Sequence, residues 1–253
     1  MAVASWQLVD NHHAQLTGDS LTAQVDAHAP QQGLDQLAVG GQSLGGHLLA
    51  VRFLPEGGRT NAVLAESYVR GDDLVATYVP VDERPYRPQL YWRLQPTIGE
   101  LPAVAAIDLM VSIQTNRLDS HPQMLVTSGV TAAEVWHLSA AGEAVPIDLS
   151  SGSAVSLSPD NGDGCVLLRT TTGDGSQISY AEMIHPSDFA NLVVRRADCG
   201  EIQIEHRLFA SFLEKGVIRR ARLRGVLLER EGDVEAAAAW YQALVSDHLP
   251  LTT

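Results

Sequence analysis

Lysine is nearly missing from this chain: Lys215 stands alone against sixteen arginines. Cysteine occurs only at Cys165 and Cys199, at no metal or redox spacing, so two buried free thiols and a cytoplasmic location are expected. No apolar run approaches the length needed to cross a bilayer, which argues against a membrane partner. The opening MAVASWQLVDNHH has neither a basic leader nor an apolar h-region, so no signal peptide is expected. Positive charge is also scarce overall. A formal net charge of -13 excludes general nucleic-acid binding, which depends on neutralising phosphates.

Short alternating segments fill the chain instead. WQLV, SLTAQVDA, SLGGHLLAVRFLP, VAAIDLMVSIQT, QMLVTSGV, EVWHLSA, CVLLRTTT, QISYAEMIH and NLVVRRA each read as a strand, with Gly- and Asp-rich turns between them. ESYVRGDDLVATYVPV reads as a hairpin about Arg70-Gly71-Asp72-Asp73. PYRPQLYWRLQP, bracketed by prolines, suits an edge strand. Strands at this spacing, with few helices, predict a mainly β, antiparallel sandwich forming one domain over residues 1–253.

The end of the chain is the most ordered pattern. Folding residues 201–228 into a hairpin about Lys215-Gly216 sets Ile204, His206, Leu208 and Ala210 against Leu227, Gly225, Leu223 and Ala221 on one face. Arg220, Arg222 and Arg224 then lie on the other face, although Arg207 would oppose Arg224. A rival reading makes residues 221–244 a degenerate tetratricopeptide unit, but no second copy is present and such arrays need about three. Either way a helix is expected over residues 233–245. Its stripe is Val234, Ala237, Ala238, Tyr241, Leu244 and Val245, and Asp233 is its N-cap.

Eight arginines fall within residues 195–230. They pair with the chain's own carboxylates or form an anion site, because a guanidinium prefers two-pronged bonds to carboxylate or phosphate. Tyr91-Trp92-Arg93 offers an aromatic platform beside a donor, as sugar-binding surfaces do; the alternative is core packing. In SYAEMIHPSDF, Tyr180 and Glu182 share one strand face and His185 points to the other. Glu and His near a sheet edge can serve as base and acid, or simply satisfy each other's hydrogen bonds. Gly41-Gln42-Ser43-Leu44-Gly45 resembles the nucleophile elbow of α/β-hydrolases and makes Ser43 a second candidate nucleophile. The residues around it lack the alternating strands and helices of that fold, and a Gly-rich turn between strands is the competing reading. Asp160-Asn161-Gly162-Asp163-Gly164 fails the EF-hand pattern and reads as a turn. His12-His13 and the other histidines show no zinc spacing, so neither a metal nor a cofactor is expected.

The strand series, with the short strands around residues 20–54, resembles the galactose-mutarotase superfamily of β-supersandwiches. That resemblance implies sugar handling on one sheet face, with a His acid and a Glu base; His185 and Glu182 are the candidates here. It implies a carbohydrate-binding or mutarotase-like protein with a sugar ligand, using Tyr91, Trp92, Arg93, Tyr180, Arg220, Arg222 and Arg224. The alternatives are a serine hydrolase acting through Ser43, and a non-enzymatic domain. In the last, the arginine face meets an acidic partner or a second copy in a homo-oligomer.

Overall fold

A computed structural model describes residues 4–54, 62–81, 85–95, 101–139, 141–149, 154–209 and 211–247. It is 58% strand and 8% helix, so period-two burial governs the chain as the sequence pattern predicts. All three sheets are antiparallel. The first runs in chain order through β1 (Ser5–Leu8), β2 (His13–Thr17), β3 (Leu21–Asp26), β4 (Asp35–Val39) and β5 (Gln42–Ser43). The second has the order β14 (Val155–Leu157), β17 (Asn191–Arg196), β18 (Glu201–Leu208), β11 (Gln123–Thr131) and β6 (Gly46–Leu54). Leu34 and Leu48 exchange backbone bonds of 2.8 and 3.0 Å and stitch these two sheets into one layer.

The facing layer is a single nine-stranded sheet. Its order is β13 (Ala144–Pro146), β12 (Glu134–Leu138), β15 (Cys165–Thr171), β16 (Gln177–Ile184), β19 (Ile218–Glu229), β10 (Ala105–Thr115), β9 (Tyr86–Leu94), β8 (Asp73–Tyr78) and β7 (Leu64–Arg70). Alternate residues of each strand, among them Leu74, Trp92, Leu109, Leu223 and Tyr180, enter the main core against Val51, Val126, Leu192 and Ile204 of the opposite layer. The β7–β8 hairpin turns at Gly71-Asp72 with Arg70 paired to Asp73, as its sequence predicts, and Gly71 takes the positive φ of 58° that the turn requires.

Two expectations about strand pairing are corrected. Residues 201–228 do not form a hairpin: β18 pairs with β11 and β17, whereas β19 pairs with β10 and β16. The apolar faces of both strands are those that alternation predicts, but they meet across the core rather than within one sheet. Alternation is identical in the two arrangements. Likewise β9 is an interior strand, not an edge. Pro88 is accommodated because the ladder with β8 stops at Gln89, one residue short of it.

The C-terminal helix α1 (Asp233–Ser246) lies on the outer face of the nine-stranded sheet, over β15, β16 and β19. Gly232, in the left-handed region at φ 70°, occupies the N-cap, so Asp233 is the first helical residue rather than the cap. The buried stripe is Ala236, Ala237, Trp240, Tyr241 and Leu244, packed on Cys165, Leu167, Ala181, Met183, Val226 and Leu228. It is therefore rotated from the expected stripe: Trp240 enters and Val245 remains exposed. Among the described residues no helix is long and apolar enough to cross a membrane.

Candidate functional site

Helix α1 covers the outer face over β15, β16 and β19, and the face over β8, β9 and β10 carries a row of charges beside a small apolar cluster. Cross-strand register lines up Asp73, Arg93, Asp108 and Arg224 in one row of alternating charge. Each acid takes a two-pronged pair. Arg93 donates to Asp73 at 2.6 and 2.9 Å, and Arg224 donates to Asp108 at 2.6 and 2.9 Å. Gln95 adds a bond of 2.7 Å to Asp108. The Arg224 guanidinium lies 5.4 Å from the Trp240 ring, which carries the row under the helix. The paired Asp73 carboxylate holds the Arg93 guanidinium still more firmly charged than usual.

The next row holds Val75, Tyr91, Met110 and Arg222. Arg222 is buried and turns to the end of α1, donating to the carbonyls of Leu244 and Asp247 at 3.1 and 3.0 Å and to the Asp247 carboxylate at 2.9 Å. Those carbonyls are among the last of the helix and need outside donors. A groove of about 350 Å³ opens between the two rows, lined by Asp72, Asp73, Tyr91, Arg93, Asp108 and Arg222 among others. Tyr91 also borders a second hollow of about 320 Å³ whose lining includes Arg70, Arg87 and Arg220 and, among the described residues, no acidic side chain, although Arg70 lies 3.9 Å from Asp73. Burial raises the pKa of the Tyr91 hydroxyl, which donates to Gln89. One wall of the site is thus balanced in charge, and its continuation is basic.

The residues expected to form a site are divided by the sheet. Tyr91, Arg93, Arg220, Arg222 and Arg224 share the outer face. Trp92, one residue away, is fully buried in the core, as alternation demands. Tyr180 and Glu182 are also sealed between the layers. The Tyr180 hydroxyl donates to Glu182 at 2.6 Å and Ser128 donates to the same oxygen. His206 Nε2 stands 3.0 Å from the other carboxylate oxygen, and Leu49 N donates to Ser128 at 2.8 Å. Burial raises the Tyr180 pKa well above its ordinary value. This is a closed polar cluster inside the core, out of reach of a solvent-borne ligand. His185 lies beyond the end of β16, bonded to Ser187 at 2.8 Å and on no common face with Glu182. The two therefore do not form the expected acid–base pair. Ser43 is exposed at the end of β5 and leads into the strand β6, not into a helix, so the turn lacks the strand-to-helix geometry of a nucleophile elbow.

Local spacing does not mark Asp73, Gln95 or Asp108 as site residues. Their signal was present in the alternation: Asp108 is the one charged residue in VAAIDLMVSIQT, and a lone charge within an apolar strand requires a partner.

No protein-family model and no functionally curated protein matches the sequence. Solved structures do match the fold. A candidate aldose 1-epimerase from Escherichia coli K12 aligns over 89% of this chain and 98% of its own, with 9% identity and a TM-score of 0.55. A GalM/aldose epimerase homologue from C. elegans aligns over 90% and 99%, with 8% identity and a TM-score of 0.52. An alpha-galactosidase from Lactobacillus brevis aligns over 89% of this chain but 40% of its own, with 9% identity and a TM-score of 0.52. The chain is accordingly similar in fold to these aldose epimerase and galactosidase structures.

Proposed function

We propose that this protein binds a carbohydrate in the groove over β8, β9 and β10. The observation that carries the reading is the groove itself. It brings an aromatic ring, Tyr91, between planar donors and acceptors fixed by the sheet: Arg93, Gln95, Asp73 and Asp108. A sugar presents an apolar face edged with hydroxyls, and such a lining matches both features. The kinship of the fold with aldose epimerases and galactosidase domains supports the same ligand class. Two of the groove carboxylates, Asp73 and Asp108, are committed to arginines, which suits them to hold hydroxyls in place rather than to take a proton. The basic hollow beyond Tyr91, with Arg70, Arg87 and Arg220, suits a sugar carrying a carboxylate, sulfate or phosphate. Two free cysteines fit a reducing compartment such as the cytoplasm.

Saturation-transfer NMR and calorimetry against neutral hexoses, uronic acids and sugar phosphates test this reading, with inorganic phosphate as the sugar-free control. Binding of an acidic sugar is expected, weakened about tenfold by Tyr91→Ala. Arg220→Glu should remove the preference for the charged ligand. Silence across the panel at millimolar concentration would refute the proposal.

A further inference from the structure

At the far end of the first sheet, two separate segments bring three imidazoles and two carboxylates together. Asp10, His12 and His13 come from the β1–β2 turn and the start of β2; Asp26 and His28 come from the end of β3 and the loop after it. The His12 ring lies 4.0 Å from that of His13 and 4.3 Å from that of His28. His13 stands opposite Asp26 in the β2–β3 register. Two triads result, Asp10–His12–His13 and His12–Asp26–His28, with their donor atoms within 4.8 Å of one another. The His-His dipeptide shows no zinc spacing because the third imidazole, His28, comes from the turn after a neighbouring strand.

We infer that His12, Asp26 and His28 form a binding site for one divalent transition-metal ion, zinc by its chemistry, with Asp10 and His13 flanking it. Imidazole is the commonest protein ligand for such ions, and two imidazoles with one carboxylate and an open position is an established zinc donor set. Tetrahedral zinc with bonds of about 2.0–2.1 Å needs its donors roughly 3.3–3.5 Å apart, so modest side-chain rotations close the triad. His28 N donates to Asp26 Oδ1 at 2.9 Å, leaving the other oxygen for a metal. Among the described residues no arginine or lysine pairs with Asp10 or Asp26, so the carboxylates are not neutralised from within the chain. The flanking triad is the poorer one. Asp10 accepts from His12 N and His13 N at 2.9 and 2.7 Å and from His13 Nδ1 at 2.8 Å, which commits its oxygens.

Chelator-treated full-length protein titrated with zinc, by calorimetry and by imidazole NMR shifts, is the test; cobalt absorption reports the donor geometry. One ion per chain is expected, with a dissociation constant below about 100 µM. His12→Ala and His28→Ala should each weaken it at least tenfold, and His13→Ala much less. The exposed His121, 3.5 Å from Asp119 and outside the cluster, is the control, and His121→Ala should leave zinc binding unchanged. Circular dichroism confirms that the variants fold. No saturable binding, equal affinity in His12→Ala, or loss on His13→Ala with His28→Ala intact would each overturn the assignment. None of these readouts involves the groove.

Discussion

Gly225 lies directly under the Tyr180 side chain: a Cβ added to it would come within 2.7 Å of the Tyr180 hydroxyl oxygen. That oxygen is pinned by its 2.6 Å bond to Glu182 and cannot retreat without leaving a buried carboxylate short of a donor. Gly225→Ala should therefore destabilise the protein by about 1–3 kcal/mol in urea unfolding. Adding Tyr180→Phe should cost less than the sum of the two single changes, because the second removes the atom that the first displaces. Strict additivity would show that the two side chains do not interfere.

The buried Asp108–Arg224 pair makes a second prediction. Asp108→Ala leaves a guanidinium enclosed without its partner and should cost about 3–5 kcal/mol. Replacing both, Asp108→Leu with Arg224→Met, should recover most of that loss while abolishing the groove's polar floor. Chemical denaturation of the three variants checks it.

Stability should depend on pH through Asp188. Burial raises its pKa, against the bond from Arg222 N at 3.1 Å and the charges of His185 and Arg222. A carboxyl whose folded pKa lies above its unfolded one binds its proton more tightly when folded. It favours the folded state below its ordinary value of 3.8, and that contribution is lost as pH rises through the folded pKa. Asp188→Asn keeps an acceptor for Arg222 N and removes the half-buried charge. Its melting temperature should exceed that of the wild type at pH 7, and the gain should shrink as pH falls below 3.8. A gain that grows in acid would reverse the sign and refute the account.

The two thiols should separate cleanly. Cys165 is fully buried and its pKa is pushed far up by burial; Cys199 is exposed. Ellman's reagent should titrate one thiol in the native protein and two after unfolding, and none in native Cys199→Ser.

The sequence disclosed this molecule unevenly, for one physical reason. Alternation tells which side of a strand a residue occupies, and it does so whatever the neighbouring strand is. Ile204, Leu208, Leu223 and Leu227 were thus placed inward, and Arg220, Arg222 and Arg224 outward, while the pairing of β18 with β19 was wrong. The same rule separates Tyr91 and Arg93 from Trp92, although the three read naturally as one platform. His206 was set on the apolar face opposite Gly225, and it is found beside Glu182, the cross-strand partner of Gly225. Groove and metal cluster alike assemble residues from strands distant in the chain, and local spacing holds no record of such meetings.

The charged row over β8, β9, β10 and β19 also decides something that greasy residues cannot. Sliding a strand by two positions keeps every apolar side chain pointing inward, so burial alone tolerates the error. Such a slide between β8 and β9 would set Arg93 against Val75 or Gly71 and strand the Asp73 carboxylate beside Tyr91 or Gln95. The two ion pairs thereby act as index marks, one fixing β8 on β9 and the other β10 on β19.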